Sequence, residues 1–430
     1  MIAAVLVLLA GYGPSSSATP AAAAAGPFLH SPLEQPTTYV LAPALASRLH
    51  PGEQSALEAL GQLGFWSSAV RAWSVEVERV TRETVVRRSI KARSTTVATA
   101  AGADGEGHEA EARREEFVAC LAAAVRAVLA DWQTLVLETE RRILAADPSL
   151  VGAPSSGNGR ETRGFVALLG LTATFQPWSA RLSALNNLVS LLPLPTSSPS
   201  STSHSAPAST STSASPPPKR WPGPGLLLNR LDALSARSKG SPELSHLASR
   251  LLAPVRQLWL GELVRSLVHG EGSALFAEAM DSTAVAAGGA NLQQEHQIQL
   301  VLRPESLPSS LGQATTEALV QLAQTVACLR QPSPSSFSSA SGGSGRLSRR
   351  GPPSGLPEDL RRSLERLLVT GDDDGPADDA KTDGPGEQRR RTLSSSSTDW
   401  AARLGRTVAV VRRQVGECVP TCSGSALPSC

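Results

Sequence analysis

EEFVACLAAAVRAVLADWQTLVLETERRILAA, residues 115–146, is the stretch that decides the fold class. Its stripe positions Phe117, Leu121, Val125, Val128, Trp132, Leu135, Thr139 and Ile143 step by four, four, three, four, three, four and four. That spacing keeps one seam of a helix facing a neighbour, whereas a strand would alternate every second residue. The opposite face carries Arg126, Asp131, Glu138, Glu140, Arg141 and Arg142, with Glu138 one turn before Arg142. Asp147-Pro148 should end the helix, because a residue before proline is driven out of the helical region. At about 1.5 Å per residue the rod is roughly 45 Å long.

The same reading extends in both directions. Upstream, Leu49-His50-Pro51-Gly52-Glu53 leads a helical pattern running to about Arg93, marked by Leu57, Leu60, Leu63, Val70, Trp73, Val77 and Val80. A break is expected near Gly61 and Gly64, and residues 94–112 read as a loop. Ile2–Ala10 is an apolar run of signal-peptide length with no positive residues ahead of it. It falls far short of the ~20 residues that span a bilayer, so it reads as a core helix stopped by Gly11, Gly13 and Pro14. An intracellular protein would follow. Residues 14–27 read as a loop or insert.

Downstream, Phe165–Leu192 predicts one or two helices around Pro177, and residues 193–224 read as a disordered Ser/Thr/Pro/Ala insert. Helical order resumes at Gly225, and a second helix begins at Ser241-Pro242-Glu243, with serine as cap and proline in the first turn. Leu275–Met280 reads as a turn of helix, Gln297–Leu302 as a short strand or extended lead-in, and Gln313–Arg330 as helix. Residues 331–398 form a low-complexity linker with one short helix at 356–369. Thr398-Asp399 caps a final pattern of Trp400, Leu404, Val408, Val411 and Val415. The expected fold is all-α, an elongated stack of helical bundles with long disordered Ser/Pro/Gly-rich inserts.

Composition agrees with blocks separated by inserts. Apolar residues make up 41% and aromatics 4%, while glycine and proline number 35 and 32. A formal charge of +2 supplies no field for nucleic acid. Five cysteines are too few and scattered for a disulfide scaffold. Cys120 and Cys328 lie within helical patterns and read as buried thiols, and Cys418, Cys422 and Cys430 have no fourth ligand beside them for zinc.

Motifs that carry chemistry are missing. No glycine-rich loop ends in Lys-Ser or Lys-Thr; Gly342-Gly343-Ser344-Gly345 lies between serine runs. His296 has no histidine one turn away, and His269 reads as a helix-end residue. Asp372–Asp374 with Asp378-Asp379 lacks the alternation of a calcium loop and reads as a solvated tract. Trp73, Trp132, Trp178, Trp259 and Trp400 follow helical stripes and read as core. Arg389-Arg390-Arg391 before Thr392 and Ser394 is either a basophilic kinase substrate or an inert basic patch. No catalytic, cofactor-binding or metal residues are expected, and the chain reads as a non-enzyme.

The order of the ordered blocks carries a resemblance. Met1-Ile2 through Gly11-Tyr12, Pro27-Phe28-Leu29-His30, the helix Phe117–Leu144, Leu226–Gly270 ending in His269-Gly270, and Leu307-Pro308-Ser309 through Leu329 follow one another as in gamma-tubulin complex components. The likeness is closest to the short fourth component and covers residues 1–330, read as the family's N-terminal helical domain. Glu271–Phe276 preserves only fragments of the family's motif after His-Gly. Residues 399–430 look like the start of a further bundle cut short by a Ser/Cys tail. The family's C-terminal half, which binds gamma-tubulin, is not expected here.

The resemblance implies a non-enzymatic scaffold that associates laterally with other gamma-tubulin complex components for microtubule nucleation. It would act at spindle poles or microtubule-organising centres, in the cytoplasm and cytoskeleton. Gamma-tubulin would be bound directly only through a C-terminal half, and neither nucleic acid nor membrane is an expected partner. The alternatives are a generic helical adaptor or tether, then a secreted or anchored protein whose first residues are a signal, and last an enzyme.

Overall fold

The structure is a computed structural model that describes residues 1–13, 28–30, 38–95, 105–151, 166–192, 221–269, 275–279, 299–330, 362 and 397–418. Among these it is all-α, with nine α-helices and two small antiparallel hairpins. The helices are α1 (Ile2–Leu9), α2 (Pro43–Ala46), α3 (Pro51–Thr95), α4 (Gly105–Leu144) and α5 (Leu168–Ser190). They continue as α6 (Pro224–Arg237), α7 (Pro242–Val264), α8 (Gln313–Arg330) and α9 (Ser397–Cys418). The strands are β1 (Phe28–His30), β2 (Tyr39–Leu41), β3 (Phe276–Ala279) and β4 (Gln299–Leu302). The chain divides into two compact units. One holds residues 1–100, 118–222 and 237–254; the other holds 101–117, 223–236 and 255–430.

In the first unit, α1 is a core helix, with Val5, Leu6, Leu8 and Leu9 buried. Its end is a Schellman turn: Gly11 N–H bonds Leu8 O at 2.9 Å, Tyr12 N–H bonds Val7 O at 3.2 Å, and Gly11 has φ +85°. Three side chains capture the remaining carbonyls. Trp132 Nε1 donates to Leu9 O at 2.7 Å, Ser67 Oγ to the same oxygen at 3.1 Å, and Arg71 Nη1 to Ala10 O at 3.0 Å. The helix end is thereby satisfied inside the protein, where an orphan carbonyl would be costly.

The start of α3 explains the His-Pro-Gly-Glu motif. Gly52 N–H donates to His50 Nδ1 at 3.2 Å, and His50 N–H donates to Glu53 Oε2 at 3.2 Å, the reciprocal arrangement of a capping box around Pro51. The break expected at Gly61 and Gly64 does not occur; α3 runs unbroken. Both glycines serve close approach. A Cβ on Gly64 would lie 2.6 Å from Leu8 Cγ and 3.1 Å from Leu8 O, and one on Gly61 would lie 3.1 Å from the Phe28 ring. Phe28 belongs to the first hairpin, where Phe28 pairs with Leu41 and His30 with Tyr39. Phe28, Tyr39 and Leu41 are buried, and the Tyr39 hydroxyl lies 2.8 Å from Ser68 Oγ. Burial pushes the Tyr39 phenol above its ordinary range, and the Ser68 contact partly opposes it.

Helix α4 buries Phe117, Leu121, Val125, Val128, Trp132 and Thr139 as the stripe required. Val118, Ala122, Leu129 and Val136 are buried too, so the hidden face is wider than one seam. Thr139 tolerates its place by bonding back to Leu135 O at 2.8 Å. The helix also begins earlier than expected: residues 105–112, read as loop, are helical. It ends in a second Schellman turn, with Ala146 N–H on Ile143 O at 3.0 Å and Asp147 N–H on Arg142 O at 3.0 Å. Ala146 occupies the left-handed position at φ 52°, where glycine is the unstrained residue. Ala146→Gly is therefore expected to stabilise the chain by about 0.5–1 kcal/mol, read as a higher urea midpoint. The Asp147 carboxylate accepts from Ser149 N–H at 2.9 Å and from Arg142 Nε at 2.8 Å, which holds its pKa down at about 2.

Helix α5 is continuous through Pro177. Proline removes one backbone donor, but Pro177 and Ala173, whose carbonyl loses that bond, are both exposed to water. Trp132 packs edge-on against Phe175 at 5.2 Å and tilted against Trp178 at 5.5 Å, joining α4 to α5. The second unit corrects the turn of helix expected at Leu275–Met280. Phe276–Ala279 is a strand, paired antiparallel with Gln299–Leu302 from Phe276 opposite Leu302 to Ala279 opposite Gln299.

Order also returns earlier than the 193–224 insert predicted, since Trp221 is buried and α6 starts at Pro224. The rest of that insert, the 14–27 and 152–164 segments, and most of 331–398 lie outside the described residues, as does the expected helix at 356–369 apart from Arg362.

Candidate functional site

Two sequence motifs of the second unit meet in space. Gly223-Pro224-Gly225 opens α6, and its backbone lies against residues 305–307. A Cβ on Gly225 would run into Leu307 O and sit 2.7 Å from Leu307 N, so only glycine fits without displacing backbone. One turn on, Asn229 Oδ1 accepts from Ser309 N–H at 2.5 Å and from Ser309 Oγ at 2.8 Å. Leu307-Pro308-Ser309 thus works as a clasp across the start of α6. Trp259 of α7 lies fully buried and donates its indole N–H to Ser306 O at 3.0 Å.

Helix α9 docks on the same region through Trp400. Its ring meets Trp259 edge-on at 5.9 Å, and the Arg256 guanidinium lies 4.9 Å from the Trp400 centroid. Arg256 Nη2 also donates to Asp232 Oδ1 at 2.8 Å. Burial lowers the Arg256 pKa, against the pull of Asp232. Ala401, Leu404, Val408 and Val411 form the buried stripe of α9, and Gly405 lets it approach Thr315 of α8.

A buried charge cluster lies at the start of α4. Glu262 is 1% exposed and accepts from Arg265 Nη1 at 2.6 Å and Arg113 Nη1 at 3.2 Å. Arg114, also buried, pairs with Glu305. Arginine suits such positions because its planar fork engages carboxylates while remaining charged. The arrangement can order backbone and hold helices; it places no nucleophile beside a base. Among the described residues no three His, Cys, Asp or Glu side chains gather to hold a metal ion.

The residues singled out in the sequence fall as follows. Trp73, Trp132 and Trp259 are buried, while Trp178 and Trp400 are half-buried at packed junctions. Cys120 is half-buried. His269 ends the π-helical turn Arg265–His269 that follows α7. Thr392 and Ser394 lie outside the described residues, as do the 372–379 acidic tract and Gly342–Gly345. Glu262, Arg113 and Asn229 were missed, because the Glu262–Arg113 and Asn229–Ser309 pairings span 149 and 80 residues and have no local signal.

A second feature lies on the first unit. Val75, Val85, Val86 and Ile90 of α3 are exposed, Val86 by 56% and Ile90 by 64%. Val80 is the last buried side chain of α3 among the described residues. The Glu111–Leu144 part of α4 is long and apolar enough to cross a membrane by composition. Its stripe from Val118 to Thr139 is instead packed inside the first unit.

Residues 28–367 match the family described as "Gamma tubulin complex component N-terminal". No curated protein matches the chain.

Proposed function

The chain belongs to the gamma tubulin complex component family, a family of structural subunits, and from that premise we propose that it is a non-enzymatic scaffold. It associates side by side with other gamma-tubulin complex components through its N-terminal helical bundles, and so takes part in microtubule nucleation. Its place of action is the cytoplasm and cytoskeleton, at spindle poles or organising centres. The observation that carries the reading is the family match over residues 28–367. The clasp of Asn229 on Ser309 and the burial of Glu262 between arginines support it, since the recurrent motifs and buried charges are committed to holding helices together.

Rigid rods suit that task. Long helices locked by internal hydrogen bonds present fixed flanks to a neighbour, so association requires little reordering. Apolar residues left on those flanks supply affinity and the charges around them select the partner. The test is co-purification of the tagged full chain at moderate salt. Recovery of other gamma-tubulin complex components is expected, and their absence from the purified material would sink the scaffold reading in favour of an unrelated helical adaptor.

A further inference from the structure

Six hydroxyl residues of the sequence stand three places after an arginine: Ser74, Thr96, Ser306, Ser333, Thr392 and Ser394. Burial removes two of them. Ser74 is 1% exposed and donates its hydroxyl to Arg71 O at 2.8 Å, and Ser306 is 0% exposed. A second arginine separates the rest. Thr96 and Ser333 have none two or five places ahead of them. Thr392 has Arg389 and Arg390 at three and two, and Ser394 has Arg389 and Arg391 at five and three. Thr392 is also followed by the apolar Leu393.

The surroundings decide what such a run can engage. From Gly371 to Asp399 the sequence has eight acidic residues and four basic ones, and Arg389–Arg391 supplies three of the four. Nucleic acid or an anionic lipid surface is held by an extended basic field, which this stretch does not offer. A basophilic protein kinase asks for less. It reads two or three arginines beside a hydroxyl residue, because each guanidinium fork engages carboxylates of the substrate groove at a fixed spacing.

We infer that Thr392 and Ser394 are phosphorylation sites for basophilic protein kinases, with ATP as co-substrate. The hydroxyl oxygen attacks the γ-phosphorus of Mg-ATP. A new oxygen–phosphorus bond forms, the bond to the oxygen bridging the β- and γ-phosphates breaks, ADP leaves, and the hydroxyl proton passes to the kinase's catalytic aspartate. Each phosphate brings a charge of about −2 beside the three arginines, so one largely cancels the basic run and two reverse it. Both sites lie beyond residue 367, where the family match ends, and Ser394 stands three residues before the first residue of α9. The modification therefore falls outside the residues on which the scaffold reading rests and does not depend on it.

The test incubates the full chain and Mg-ATP with either of two purified basophilic kinases, and maps the phosphate by mass spectrometry. The catalytic subunit of cAMP-dependent protein kinase, which reads arginines at three and two, is expected to modify Thr392. Protein kinase B, which reads them at five and three, is expected to modify Ser394. The Arg389→Ala/Arg391→Ala variant keeps both hydroxyls and is expected to slow both reactions about tenfold or more. Thr392→Ala/Ser394→Ala is expected to abolish them, with the wild-type circular dichroism spectrum retained in both variants. Phosphate placed mainly on other residues, or undiminished incorporation by the arginine variant, would overturn the proposal. So would a chain recovered from its own cells, with phosphatases inhibited, that carries phosphate on neither residue. None of these readouts uses recovery of gamma-tubulin complex components, so the scaffold reading stands or falls separately.

Discussion

Trp132→Ala is expected to destabilise the first unit by about 3–5 kcal/mol, the usual cost of emptying a large aromatic site in a core. The side chain is 1% exposed and touches two other helices at once. Its ring meets Phe175 and Trp178 of α5, and its indole N–H caps the Leu9 carbonyl at the end of α1. Alanine would therefore leave a cavity and also remove one of the two donors on Leu9 O. Trp132→Phe separates the two effects: it keeps most of the ring and deletes the donor. Ser67 Oγ still reaches Leu9 O at 3.1 Å, so the lost bond alone should cost about 0.5–1.5 kcal/mol. Urea unfolding followed by far-UV circular dichroism reads both. A loss below about 1 kcal/mol for the alanine variant would contradict the central place given to this residue.

Glu262→Ala should be comparably damaging, by about 3–5 kcal/mol, for an electrostatic reason. The carboxylate, itself 1% exposed, balances Arg113 and Arg265. Arg265 is one turn away and partly exposed, so it can swing to solvent. Arg113 is held on α4 and would lose its buried carboxylate partner. Glu116, 3.7 Å away on the same helix, remains near it. The sign is not that of an ion pair as such. Buried pairs often contribute little against an apolar replacement, and the damage comes from removing one partner. A double substitution, Glu262→Met with Arg113→Met, should accordingly recover much of what Glu262→Ala loses. Equal destabilisation by the single and double variants would show that packing, not stranded charge, sets the cost.

Both predictions concern residues of different legibility. Trp132 could be placed from the sequence because its neighbours on the stripe recur at three and four residues, and burial follows from that period. Glu262 could not, since a glutamate on a helical pattern ordinarily faces water. Its partner Arg113 lies 149 residues away, and nothing local couples the two. The clasp of Asn229 on Ser309 was hidden for the same reason.

Glycine misled in one direction and alanine in the other. Gly61 and Gly64 suggested a break because glycine weakens helices, but here the missing side chain admits Phe28 and Leu8. Ala146 gave no hint of a left-handed cap, which glycine would have announced. The strand at Phe276–Ala279 was missed because its pairing partner is twenty residues further on and four residues carry little periodic signal. The all-helical class was legible because three- and four-residue spacing recurs in nearly every ordered block. The exposed valines of α3 were not legible as a surface, because valines on a helix look alike until exposure separates the inward set from the outward one.

The hydrogen bonds that fasten the end of α1 do not depend on which side chains Leu9 and Ala10 bear. The oxygens held by Trp132, Ser67 and Arg71 belong to the main chain of Leu9 and Ala10, so exchanging either residue leaves the acceptors standing. Adding or deleting a single residue within Ile2–Leu9 is another matter. It would turn the tail of the rod by about 100° and slide it about 1.5 Å, unhooking all three donors together. These three hydrogen bonds answer to length before identity.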